Sequence, residues 1–171
     1  MMEEELKVLM AKDAIRDQLY TYCHALDRID AELGYTVFSE DSYVDYGPTY
    51  KGTGRGFIDQ CLEEHRKNVS THHMMTNILI KVDGDKAASE TYMYAACKYP
   101  MEDGRSYTVE ARCRDIDNWE FRNGKWLIVK RVVAGDNTRI FSKYRDLEDY
   151  NMDRDNRNDP SYAVLGKALF E

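Results

Sequence analysis

The sequence predicts an α+β domain, with helices packed on one face of a curved, mostly antiparallel sheet. Three observations carry this reading. Helical spacing of apolar residues is confined to the first 67 positions. Long alternating segments follow, over 71–82, 86–99, 105–121 and 125–135. They are joined at Asp83-Gly84, Asp103-Gly104 and Asn123-Gly124, dipeptides that supply the positive φ a tight hairpin needs. Helices first and a meander afterwards is the order of an α+β domain, not of an alternating parallel sheet.

The spacing predicts a short helix over 3–12. Asp13 then reads as the N-cap of a longer helix whose Ile15, Leu19, Tyr22, Cys23 and Leu26 share a face, ending near Arg28. Asp30 can cap a further short helix carrying Leu33, Val37 and Phe38. Asp41 to Tyr46 alternates as a strand and stops at Gly47-Pro48, and Tyr50-Lys51-Gly52 reads as its short return. Phe57, Ile58, Cys61, Leu62 and His65 mark a second amphipathic helix, to about Lys67. Beyond Asp136 the periodicity is lost. The expected organisation is one domain over 1–141 and a tail over 142–171 that caps the pocket or a neighbouring subunit.

The chain of 171 residues suits one domain, which at this size buries roughly 70% of the surface of its unfolded chain. Its net charge of −7 argues against a nucleic-acid partner, which would call for a basic footprint. Four cysteines form no CxxC pair, so neither a metal knuckle nor a redox motif is written here. The acidic N-terminus carries no long apolar run, and no stretch approaches the ~20 apolar residues of a membrane span. The expectation is a cytoplasmic protein with free thiols and no membrane partner. Thirteen tyrosines suit strands, or a pocket for something flat with polar edges.

Three residues stand out for chemistry. Asp27 lies at the border of the Leu19/Tyr22/Leu26 stripe, where a carboxylate looks either into a cavity or into water. In Thr71-His72-His73-Met74-Met75-Thr76-Asn77, alternation places His73, Met75, Asn77 and Leu79 on one face and His72 on the other. His73 is thus a core histidine or a general base. Arg131 has the parity of Leu127 and Val129, and a buried arginine calls for a carboxylate or a ligand anion. No phosphate-binding loop, dinucleotide turn, nucleophile elbow or HExxH helix is present.

In sequence order, Tyr22-x4-Asp27, Phe38-Ser39-Glu40-Asp41, Asp45-Tyr46-Gly47, Tyr50-Lys51-Gly52, His72-His73-x3-Asn77 and Asn123-Gly124-x-Trp126-x4-Arg131 make a recognisable series. Over residues 10–140 it resembles the SnoaL-like members of the nuclear-transport-factor superfamily, in particular the scytalone dehydratase and hexachlorocyclohexane dehydrochlorinase types. The resemblance implies a cone-shaped, half-open barrel around a deep pocket, and a His–Asp dyad that falls on His73 and Asp27. It implies that Tyr46 and Arg131 face that pocket. The dehydrochlorinase type has a lysine one helical turn before the Asp. Tyr22 stands there in this chain, which favours a reaction helped by a phenolic hydroxyl over loss of halide.

On that resemblance the expected activity is a cofactor-independent lyase. It would eliminate water, or another small fragment, from a hydroxylated aromatic or polyketide-like small molecule. His73 is the expected base and Asp27 its partner. Tyr22, Tyr46 and Asn77 would hold a substrate oxygen, and Arg131 would receive a leaving anion. No metal or organic cofactor is required. An isomerase or cyclase with the same dyad, a binding domain without turnover, and an oxygenase small subunit are the alternatives. Family members are often trimers or dimers. A homo-oligomer is therefore expected, packed through strands 86–99 and 105–121, with Met93, Ala95 and Tyr99 as contacts.

Overall fold

The computed structural model describes residues 2–143, with side chains to residue 140. The C-terminal segment from residue 144 on, expected to dock or cap, lies outside the described residues.

The first helix, α1, runs unbroken over Met2–Arg28, where the sequence suggested two helices meeting at Asp13. Asp13 has poor helix propensity, but no Gly or Pro interrupts the run, and a few tenths of a kcal/mol do not end a helix. Glu3, Glu4 and Glu5 in the first turn and Arg28 in the last suit the helix dipole. Burial begins only at Ile15 and continues through Leu19, Tyr22, Cys23 and Leu26, while Leu6, Leu9 and Met10 remain exposed.

Ile29 ends α1 in the left-handed region, at φ 57, and the Asp30 N–H donates back to the Ala25 carbonyl at 2.9 Å. A β-branched residue there costs about 1–2 kcal/mol. Burial of the Ile29 side chain in the core offsets part of this. Asp30 caps α2 (Ala31–Tyr35) by accepting from the Leu33 N–H at 3.0 Å, as its position suggested. Val37 and Phe38 do not continue that helix; β1 begins at Phe38 and runs to Asp45. The short β2 (Lys51–Gly52) pairs antiparallel with it. Thr53 caps α3 (Gly54–His65), in which Gly54 lies so close to the Phe38 ring that a Cβ would collide with it.

The four long strands are β3 (Ser70–Asp83), β4 (Lys86–Pro100), β5 (Ser106–Arg122) and β6 (Lys125–Lys143). Gly84, Gly104 and the Asn123-Gly124 pair take positive φ in the three connections, as the dipeptides predicted. The sheet order is β2-β1-β6-β5-β4-β3, with β1 parallel to β6 and the other pairs antiparallel. It is a curved mixed sheet that does not close, with the helices on its concave face. β6 continues past Asp136, contrary to expectation. Asp136 is an extra residue between the Cys113–Gly135 and Arg112–Asn137 pairs. This bulge reverses the inward–outward phase, so a continuous strand reads as aperiodic. The core lies between α1, α3 and the concave face, around Leu19, Phe38, Ile58, Trp119 and Ile128. Ala95 is inside, 5% exposed. Of the expected oligomer contacts, Ala95 is therefore buried while Met93 and Tyr99 are half-buried, and the exposed large hydrophobics of β4 and β5 are Tyr92, Ile116 and Phe121.

Candidate active site

Asp27 occupies the last turn of α1, the negative end of the helix dipole, where a carboxylate is unfavourable without partners. The start of β3 supplies them. The His73 backbone N–H donates to Asp27 Oδ2 at 3.0 Å, and His73 Nδ1 lies 2.6 Å from Oδ1. With Asp27 ionised, this assigns the ring proton to Nδ1. The pair is buried, with 5% of the His73 side chain and 9% of the Asp27 side chain exposed. Among the described residues Nε2 makes no hydrogen bond. His72 points to the other face and is exposed, as alternation required. The His65 ring of α3 stands 5.3 Å from the His73 ring, with its Nδ1 near the Leu26 carbonyl and its Nε2 near Cys61 Sγ.

A second cluster lies deeper. Arg131, 0% exposed, is clamped by Asp117, with Nε donating to Oδ1 at 2.7 Å and Nη2 to Oδ2 at 2.8 Å. Its Nη1 lies 3.1 Å from Asp115 Oδ2 and donates to the Tyr46 hydroxyl at 3.4 Å. The Tyr46 and Tyr22 hydroxyls are hydrogen-bonded at 3.0 Å, and the guanidinium sits 4.6 Å from the Tyr22 ring centre. Tyr46 stacks on Phe57 with ring centres 3.6 Å apart. Burial works against the Arg131 charge, but Asp115 and Asp117 outweigh it and hold the guanidinium firmly protonated. Burial pushes both phenols up, so they remain hydrogen-bond donors. It pushes the Asp115 carboxyl up to about 6, against the pull of Arg131.

The structure thus brings together Asp27 with His73, and Tyr22 with Tyr46 and Arg131. Two expectations need correction. Asn77 is not in the site. It is an exposed bulge residue at φ 47, between the Thr76–Tyr92 and Ile78–Thr91 pairs, and after it Ile78 and Ile80 face the core while Leu79 is exposed. Arg131 is not free to receive a leaving anion, because its nitrogens are directed at Asp117, Asp115 and Tyr46. Its burial was predicted from parity with Leu127 and Val129, yet Trp126 and Ile128 are the buried positions. Val129 is an extra residue between the Trp119–Ile128 and Asn118–Lys130 pairs, and this bulge turns Arg131 inward.

Asp115, Asp117 and His65 were missed. The two aspartates were legible, since they share the parity of Trp119 on β5, and Asp117 pairs in register with Arg131. Cys23, Cys61 and Cys113 are free thiols pushed up to about 12 by burial, which makes them poor nucleophiles. No group of three or more metal-ligating side chains occurs among the described residues. No helix among them is long and apolar enough to cross a membrane. A groove of about 630 Å³ lies at the opposite end of α1, walled by Val8, Ala11, Val82, Phe121 and Trp126. It contains none of the dyad or cluster residues.

Solved structures share this fold. A candidate scytalone dehydratase from Novosphingobium aromaticivorans is 24% identical, covering 81% of this chain and 91% of its own, with a TM-score of 0.69. A type 2 hexachlorocyclohexane dehydrochlorinase is 16% identical, covering 84% and 97%, with a TM-score of 0.71. A candidate aromatic ring hydroxylase from N. aromaticivorans is 21% identical, covering 76% and 91%, with a TM-score of 0.61. No protein with a curated description matches the chain. The family signature of the SnoaL-like domain matches residues 7–132, well over half of the sequence, and the chain belongs to that family.

Proposed function

We propose that the protein is a cofactor-independent lyase that eliminates water from a hydroxylated aromatic or polyketide-like small molecule, with His73 as the general base. The observation that carries this reading is the imidazole held at Nδ1 by a buried carboxylate, with Nε2 left without a hydrogen bond. Nε2 takes a proton from a carbon next to a carbonyl or aromatic system. The C–H electrons form the new double bond, and the C–O bond to the leaving hydroxyl breaks. The imidazolium then gives its proton to that oxygen, which departs as water, and the base is reset. Asp27 fixes the tautomer and stabilises the imidazolium. The Tyr22–Tyr46 pair, polarised by Arg131, donates a hydrogen bond to the substrate oxygen that gains negative charge.

The names of two structural neighbours, a dehydratase and a dehydrochlorinase, describe eliminations and support the choice of reaction class. The test is a screen of hydroxylated aromatic ketones, following loss of water by mass spectrometry, with wild type and His73→Gln side by side. Water loss by the wild type alone is the expected result. Loss of an isotope label from the substrate carbon, with the substrate isomerised and no water released, would reassign the same dyad to an isomerase. Equal turnover by His73→Gln would remove His73 as the base.

A further inference from the structure

A third element reaches the dyad. Asp27 belongs to α1 and His73 to β3, whereas His65 closes α3, the helix whose Phe57, Ile58 and Leu62 pack into the core. His65 is 7% exposed, and both of its ring nitrogens are engaged. Nδ1 lies 3.4 Å from the Leu26 carbonyl oxygen, which can only accept, and this assigns the ring proton to Nδ1. Nε2 lies 3.5 Å from Cys61 Sγ. Burial pushes that thiol up to about 12, so it keeps its proton and donates to Nε2. The His65 ring is thereby held as a single neutral tautomer.

The Leu26 carbonyl lies where α1 leaves its regular path. In a continued α-helix the Asp30 N–H would donate to it; with Ile29 at positive φ, that N–H donates to the Ala25 carbonyl instead. His65 thus serves a carbonyl at the helix end, and that carbonyl belongs to the peptide group leading into Asp27. The same ring stands against His73, with ring centres 5.3 Å apart and planes tilted by 33°. One imidazole therefore touches both halves of the dyad, the backbone that carries the carboxylate and the ring that carries the base.

Resting on the reading of His73 as the base, we propose that His65 is a positioning residue, a brace that sets the tilt of the His73 ring. Asp27 Oδ1 holds that ring at Nδ1, 2.6 Å away. A ring held there and at its Cβ still swings Nε2, the atom that meets the substrate. Packing against His65 removes this freedom, and the anchor to Leu26 keeps the brace in register with Asp27. A neutral brace also adds no repulsion when His73 takes its proton. Alignment of this kind matters because a misplacement of about 1 Å can cost about 10²-fold in rate.

The His73 Nδ1 proton, shared with a carboxylate at 2.6 Å, should give a far low-field NMR signal that is lost in His73→Gln, and no substrate is needed to read it. In His65→Leu that signal should shift or broaden. On a hydroxylated aromatic ketone that the wild type dehydrates, kcat of His65→Leu should fall about tenfold, with KM within about twofold of wild type. His65→Asn, whose amide N–H stands in for Nδ1–H toward Leu26, should recover part of both. Should the leucine variant unfold, His65→Phe, with a ring of similar size and no donor, gives the same reading. Loss of fold in both would make His65 a residue of the core alone and overturn the proposal. So would an unchanged signal or an unchanged kcat in a folded variant, or a loss confined to KM. Full turnover in His73→Gln would sink the base reading instead, while leaving the dependence of the signal on His65 as it stands.

Discussion

The protein buries two charged clusters within the same fold, and they are built on opposite principles. At Arg131 every charged nitrogen is directed at a protein partner, and Asp117 accepts on both oxygens. At His73 the carboxylate is fully occupied, but one ring nitrogen has no hydrogen bond. The first arrangement ties β5 and β6 to Tyr46 at the end of β1 and to Tyr22 of α1; the second leaves a ring nitrogen over. A cluster whose cation is spent on its own aspartates suits a scaffold, and a ring with a spare nitrogen has capacity for a substrate. Buried charge by itself therefore does not mark an active site; in the function proposed above, the spare ring nitrogen beside it does.

That contrast can be broken most severely at Arg131. Arg131→Met strands two buried aspartates and should cost about 3–5 kcal/mol, read as a lowered midpoint in urea. Adding Asp115→Leu and Asp117→Leu should recover much of this, because a well-packed apolar cluster replaces an ion cluster at little cost. Failure of the triple variant to recover would mean that the cluster specifies the fold and does more than fill it.

At the other cluster the larger effect is on rate. His73→Gln and Asp27→Asn should each lower turnover by about 10²–10⁴-fold, measured as initial rates on the same substrate. Between the clusters, Tyr46→Phe removes the hydroxyl shared by Arg131 and Tyr22, and should cost about 0.5–1.5 kcal/mol of stability by urea titration. The smallest expected signal is at the thiols. Cys23 and Cys113 are buried and held near 12, and should resist iodoacetamide in the folded protein at pH 8 while reacting in urea, as counted by mass spectrometry.

The fold was legible because its punctuation is local. Gly84, Gly104 and Asn123-Gly124 mark their own turns, and the cap at Asp30 lies next to the helix it caps. The dyad was legible through a family resemblance together with the alternation that turns His73 and His72 apart. What strict alternation hides is a bulge. At Asn77 an extra residue removed an expected ligand from the site, and at Val129 another placed Arg131 inside although the parity argument had chosen the wrong neighbours. Asp115 and Asp117 were passed over because an acidic residue on a strand is usually solvated. Their shared parity with Trp119 was the available sign that these two are not.

The central claim is that His73 Nε2 takes a proton from substrate carbon. The most direct measurement follows deuterium at that carbon, in a hydroxylated aromatic ketone that the wild type dehydrates. Loss of the label should accompany water release in wild type and drop by at least about 10²-fold in His73→Gln. Label loss at the wild-type rate in a folded His73→Gln protein would contradict it.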